Sequence, residues 1–187
     1  MIKNHKILII LIIFFISCKQ SDYIRITENY FNDYAKKKYE YIIPYLSDSI
    51  SIVDGDYKKT YSLEEFHQYY QWDSVFNPEI KILEISSSEN NVLLTISTYS
   101  KRFEFLGNNP MITKQKVFYK ENRIYEIEIL ESVNVDWNVW VNKRDSLVEW
   151  INVEHPDLEG FIYDMTKTGG EKYLKAISLF DSREQEE

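Results

Sequence analysis

The sequence predicts an α+β fold: a curved antiparallel sheet wrapped on N-terminal helices, with a C-terminal helical region behind it. Three observations predict it. Apolar residues recur at helical spacing over 23–47 and again after residue 132. Between those regions lie four β-like runs, 79–86, 91–106, 112–120 and 123–131, separated by turn residues. Finally, 44% of the 187 residues are hydrophobic, and 15 Tyr, 10 Phe and 4 Trp supply enough apolar surface for a packed core. That composition excludes disorder. A net charge of −8 argues against a nucleic-acid partner, because an acidic surface repels phosphates.

Lys3, His5 and Lys6 precede an unbroken apolar run from Ile7 to Ile16. At about 1.5 Å per residue that run spans roughly 15 Å, half of a bilayer core. It suits the apolar region of a signal peptide rather than a membrane span. The run ends Phe15-Ile16-Ser17-Cys18, and Cys18 is the single cysteine of the chain. This ending resembles the lipobox of bacterial lipoproteins, in which a small residue precedes an invariant cysteine. Ser17 and Cys18 match the two critical positions; Phe15 stands where leucine is usual. The resemblance implies that residues 1–17 are a lipoprotein signal peptide and that Cys18 is the lipid attachment site, followed by a tether over 18–26. Lys19 in place of Asp implies outer-membrane delivery, in the periplasmic or the surface-facing leaflet. Lys19-Gln20-Ser21-Asp22 is similar to the export signals of Bacteroidota lipoproteins. Without Lys3 and Lys6 the mature chain has 20 bases against 30 acids, a net −10, which favours solubility beside the membrane.

In segment 23–47, Tyr30, Tyr34, Tyr41 and Tyr45 form one stripe, with Phe31, Ala35, Ile42 and Leu46 beside it. Lys36-Lys37-Lys38 reads as a solvated face. Pro44 predicts a break shortly before it and one further turn. Ile50-Ser51-Ile52-Val53 alternates as a strand does and stops at the turn signal Asp54-Gly55-Asp56. Ser62-Leu63-Glu64-Glu65 is a capping box. It opens a helix with Leu63, Phe66, His67 and Tyr70 on one face, closed by Asn77-Pro78. Asn90-Asn91, Gly107 to Pro110 and Glu121-Asn122 supply the turns between the four β-like runs. The spacing of Trp137, Trp140, Val141, Arg144, Val148 and Ile151 predicts another helix. Pro156 opens a further one carrying Leu158, Phe161, Ile162 and Met165. Thr168-Gly169-Gly170-Glu171 reads as a second capping box before a last helix with Tyr173, Leu174, Ile177 and Phe180.

This order of elements, and the Tyr41–Val53 and Ser62–Tyr70 stretches in particular, resemble the NTF2-like (SnoaL-like) superfamily over residues 27–131. The resemblance implies a cone, in which the sheet wraps the first helix and leaves a pocket at the wide end. Residues 132–187 form the C-terminal helical region. The superfamily includes isomerases, dehydratases, cyclases, hydrolases and non-catalytic binders, so the fold alone implies no activity.

The residues offer little assembled chemistry. After Cys18 the chain holds only His67 and His155, without metal-ligand spacing or a cysteine partner, so no metal site and no cofactor are expected. No Gly-x-Gly loop and no Gly-x-Ser-x-Gly elbow is present. The candidate pocket residues are Tyr30, Tyr34, His67, Tyr70, Trp72, Tyr99, Phe103, Phe118 and Tyr125: an aromatic wall with a few polar tips suits a small amphipathic ligand. His67 is either a core histidine bonding a carbonyl or, in an enzyme of the SnoaL type, an acid/base. Trp137 and Trp140 are candidates for a lid or an interface. The leading expectation is a membrane-anchored, non-catalytic binder of a small apolar or amphipathic ligand or of an envelope protein. A cofactor-free isomerase, dehydratase or hydrolase using His67 is the first alternative. A homodimerisation module without a pocket is the second.

Overall fold

The computed structural model describes residues 22–183. The proposed signal peptide and Cys18 lie outside the described residues. Helix α1 covers 22–34, α2 Tyr39–Ile42, and a 3₁₀ turn Ile43–Tyr45. Strands β1 (Leu46–Asp54) and β2 (Tyr57–Ser62) then form a hairpin on Gly55, whose φ of 57° suits glycine. Helix α3 (Leu63–Ser74) leads to β3 (Glu79–Ser88), β4 (Asn91–Tyr99), the short α4 (Lys101–Phe105), β5 (Met111–Lys120) and β6 (Arg123–Ser132). Helix α5 (Trp137–Glu154), a 3₁₀ turn (Pro156–Leu158) and α6 (Lys167–Arg183) complete the described chain.

The six strands form one sheet in the order β2-β1-β6-β5-β4-β3. Neighbours run antiparallel except β1 and β6, which pair parallel. Register shifts interrupt the β1–β6, β3–β4 and β5–β6 ladders. Such bulges bend a sheet and increase its twist, which gives this one its curved face. Helix α1 lies against that face. Tyr23 stacks on Tyr119 of β5 with ring centroids 4.2 Å apart, Thr27 shares a hydrogen bond with the Tyr119 hydroxyl, and that hydroxyl donates to the Tyr23 carbonyl.

Two hydrophobic cores result. The first joins α1, α2 and the start of α3 to the inward residues of the sheet, among them Ile50, Val92, Leu94, Val117 and Ile124. The second joins Trp72 and Phe76 at the end of α3 to α4, α5, the Pro156 turn and α6. The C-terminal helices therefore share a core with the cone. Gly169 and Gly170 let α6 seat closely: a Cβ at Gly170 would meet the Trp72 carbonyl at 3.0 Å, and one at Gly169 would meet the Asp164 carbonyl at 2.0 Å. Among the described residues no helix is long and apolar enough to cross a membrane.

Several local expectations are corrected. The first helix already breaks at the lysine triplet, where Lys37 takes a φ of 58°; the break expected shortly before Pro44, with one further turn, is present as the step from α2 to the 3₁₀ turn Ile43–Tyr45. The 91–106 run is not one strand. Ser100 caps α4 by accepting from the Phe103 N–H, and the Lys101 N–H donates to the Phe76 carbonyl, so the chain turns in toward both cores. Strand β2 escapes the sequence pattern because it is a sheet edge with only Tyr61 buried and with Lys58 and Lys59 exposed, a common protection against edge pairing. Pro156 starts a single 3₁₀ turn rather than a helix, although Leu158 and Phe161 are buried as core residues. The last helix begins at Lys167, and Thr166 is its cap: its Oγ1 accepts from the Gly169 N–H at 3.2 Å.

Phe76 is fully buried where α3 ends, edge-on to both Trp72 and Tyr173. Phe76→Ala removes a ring that ties α3 to α6 and is expected to cost about 3–5 kcal/mol in urea unfolding. A loss below about 1 kcal/mol would contradict a shared second core.

Candidate functional site

A cavity of about 170 Å³ lies between α1, α3 and the inner face of the sheet. Each wall comes from a different element. From α1 come Tyr30, Phe31 and Tyr34, spaced to lie on one helix face. From α3 come Phe66, Tyr69 and Asp73, at i, i+3 and i+7 and therefore again on one face. The sheet contributes alternate residues of its inner face: Ile80 of β3, Ile96 and Thr98 of β4, and Thr113 and Gln115 of β5. Ile52 of β1 and Ile127 and Ile129 of β6 close the floor, while Phe103 of α4, Pro78 and Met111 form the rim.

Asp73 is the sole charged side chain among the described residues of this lining. The Tyr34 hydroxyl donates to its Oδ2 at 3.1 Å. Burial raises the Asp73 carboxyl above its ordinary range; the positive field of Arg102 and the Tyr34 hydrogen bond pull it back without cancelling that effect. Burial also raises the phenols of Tyr30, Tyr34 and Tyr69, reinforced by the nearby Asp73 charge, so all three keep their protons. The Tyr30 and Tyr69 hydroxyls have no hydrogen-bond partner among the described residues. Gln115 donates to Thr113 Oγ1 at 2.9 Å, which leaves its carbonyl oxygen available to the cavity.

Arg102 stands behind this site. Its guanidinium carbon lies 4.9 Å from the Trp72 ring, 5.0 Å from Phe103, 5.6 Å from Phe76 and 5.8 Å from Trp140. The four rings hold the cation by its π contacts, and it does not line the cavity.

Of the residues singled out from the sequence, Tyr30, Tyr34 and Phe103 line the cavity. The others lie elsewhere. His67 is about a quarter-turn from Phe66 on α3, stacked on Tyr39 at 4.2 Å, in a separate surface pocket with Lys37, Gln71, Ser74 and Lys167. Tyr70 is buried between the helices, where its hydroxyl donates to the Tyr34 carbonyl at 3.1 Å. Trp72 belongs to the second core. Tyr99 and Tyr125 are exposed, and Phe118 alternates with the inward Val117 and Tyr119, so these three sit on the outer side of the sheet. Trp140 packs against Phe103 at 5.7 Å, behind the rim, and Trp137 is 53% exposed and edge-on to Trp140.

Asp73 was missed because α3 was read for its apolar stripe alone. Its seven-residue spacing from Phe66 was the available signal. A larger groove of about 610 Å³ runs between α5 and α6, with Lys143, Glu149, Glu154 and Asp181 on its walls. Its charges are mixed in sign and converge on no single point. Among the described residues no three His, Cys, Asp or Glu side chains are grouped to hold a metal ion.

No family model and no curated protein matches the chain. Solved structures do. A candidate ketosteroid isomerase from Kribbella flavida DSM 17836 superposes with a TM-score of 0.51 at 7% identity, over 63% of this chain and 84% of that one. A second Kribbella flavida protein gives 0.52 at 10% identity, over 67% and 96%. A candidate SnoaL-like polyketide cyclase from Jannaschia sp. CCS1 gives 0.49 at 9%, over 59% and 85%. At these identities the likeness is one of fold, and the fold is NTF2-like.

The Asp73 environment has a measurable consequence. The unfolded chain holds the Asp73 proton with the ordinary value near 3.8, and the folded chain holds it more tightly. The folded state therefore binds more protons across that window, so this group's contribution to stability falls as pH rises through it and stays lost above. Asp73→Asn is expected to raise the Tm at neutral pH, with the gain vanishing well below pH 3.8. An unchanged or lower Tm at neutral pH would overturn the assignment.

Proposed function

We propose that this chain is a membrane-tethered binder that holds a small apolar or amphipathic molecule in the cone cavity. One observation carries the reading: an aromatic and aliphatic chamber with a few convergent polar groups, Asp73, Tyr34, Thr98 and Gln115. Its size sets the ligand class. An apolar cavity of about 150 Å³ accepts benzene, whereas drug-sized ligands need roughly 300 Å³ or more. At about 170 Å³ the chamber suits a molecule of one small ring or its branched aliphatic equivalent.

A second reading, cofactor-free acid–base chemistry, draws on Asp73 rather than His67. The carboxyl lies inside the cavity, is hydrogen-bonded to Tyr34, and has its proton affinity raised by burial. His67 faces a different pocket and gives that chemistry no support. The reading as a dimerisation module without a pocket is disfavoured by the chamber itself.

The tether belongs to the same proposal. The Ser17-Cys18 ending supports lipid attachment at Cys18 and delivery to the outer membrane of the cell envelope. Trp137 is the candidate contact for an envelope partner.

Toluene is the probe for the chamber. Purified protein is expected to bind it, detected by calorimetry. Ile96→Trp, which fills the chamber from β4, abolishes binding, and His67→Gln leaves it unchanged. Thr98→Leu, a smaller intrusion, reduces affinity and serves if the tryptophan variant misfolds. Undiminished binding in both filled variants would sink the reading. For the tether, Cys18→Ala is expected to abolish metabolic labelling with a fatty-acid analogue and to leave a longer precursor. Labelling at the native level in that variant would refute it.

A further inference from the structure

Resting on the cavity reading above, we infer that the chamber selects a small organic cation, of the size and shape of a trimethylammonium group, over a neutral molecule of the same shape. Six rings line it: Tyr30, Phe31, Tyr34, Phe66, Tyr69 and Phe103. Aromatic faces carry the negative lobes of the ring quadrupole, and an enclosure of several rings attracts a cation that sheds its water easily. Quaternary and tertiary ammonium groups fit that description, because their methyl groups spread the charge and hydrate weakly.

The second observation is independent of the rings. Asp73 is the sole carboxylate of the lining and has no ion-pair partner among the described residues. Its one hydrogen bond is from Tyr34. The neighbouring positive charge, Arg102, stays outside the lining in its own aromatic enclosure and leaves the carboxylate uncompensated toward the cavity. An anionic ligand would meet that carboxylate at close range and be repelled. A neutral one would leave it partly desolvated without a counter-charge in the cavity. A cation supplies the counter-charge and occupies the faces of the rings together.

Volume distinguishes among cations. A chamber of about 170 Å³ accommodates choline or tetramethylammonium. Asp73 is the single carboxylate of the lining, and among the described residues no three His, Cys, Asp or Glu side chains are grouped to hold a metal ion.

The test compares choline with 3,3-dimethylbutan-1-ol, in which carbon replaces the quaternary nitrogen. Both are titrated into the protein by calorimetry, with toluene as the reference for the chamber. Choline is expected to bind at least tenfold more tightly than the alcohol. Asp73→Asn is expected to reduce that preference at least threefold, to the part the rings supply, while the alcohol's affinity holds. Equal or tighter binding of the alcohol to the native protein overturns the cation inference and leaves the chamber reading standing. So does toluene binding without choline binding. A preference for choline that is undiminished in Asp73→Asn also overturns it, because the carboxylate would then not be the counter-charge. Failure of all three probes removes both the inference and the reading beneath it. The native-protein comparison needs no variant, so it decides the matter even if Asp73→Asn proves unstable.

Discussion

Helix α3 packs into two hydrophobic cores at once, and this shared packing positions the rest of the molecule. Its Phe66 and Tyr70 lie among the rings of α1, α2 and the inner sheet. Its Trp72, with Phe76 just beyond its end, lies among the side chains of α4, α5 and α6. A capping box fixes the start of the helix, with the Ser62 N–H donating to the Glu65 carboxylate at 2.8 Å. At the other end the Phe76 carbonyl accepts from Lys101 and so anchors α4. Gly170 completes the arrangement, because only a residue without a side chain lets α6 approach the Trp72 carbonyl so closely.

The cavity is a consequence of that geometry. The face of α3 that carries Phe66, Tyr69 and Asp73 looks into the hollow of the sheet, and Tyr69 also packs on Trp72 of the second core. Bulges in three ladders bend the strands away from the helices. Helix α1 fills the hollow at one end, where Tyr23 and Thr27 clasp Tyr119, and leaves the end near Tyr30 and Tyr34 open. A carboxylate in such a place is costly to fold around. Its retention amid apolar walls, with one phenol to hold it, is the feature that distinguishes this chamber from an imperfectly filled core.

The sequence made long, strongly patterned segments legible. The capping box marks the α3 start, the spacing of Trp137, Trp140, Val148 and Ile151 marks α5, and alternation between turn signals marks β5 and β6. It misled where tertiary contacts outweighed local pattern. Phe103 and Phe105 fit a strand by alternation, but Ser100 and the Phe76 carbonyl turn them into a short helix that serves both cores. Strand β2 was hidden because an edge strand buries little and needs no apolar stripe. The aromatic inventory was right in kind and divided in place. Tyr30, Tyr34 and Phe103 meet in the chamber, while Tyr99, Phe118 and Tyr125 belong to the outer face. Alternation separates two faces without saying which one is inside.

Local periodicity and composition suffice for the class of fold, the order of most of its elements and the aromatic character of the interior, because they are properties of neighbouring residues along the chain. Packing in three dimensions sets the rest: Asp73, not His67, stands in the cavity, Arg102 stays outside it, and the last helices share a core with α3. Those outcomes depend on which face of α3 meets which partner. The two residues are six positions apart on one helix, and their opposite fates follow from the direction in which the sheet curves and the closeness with which α6 can approach.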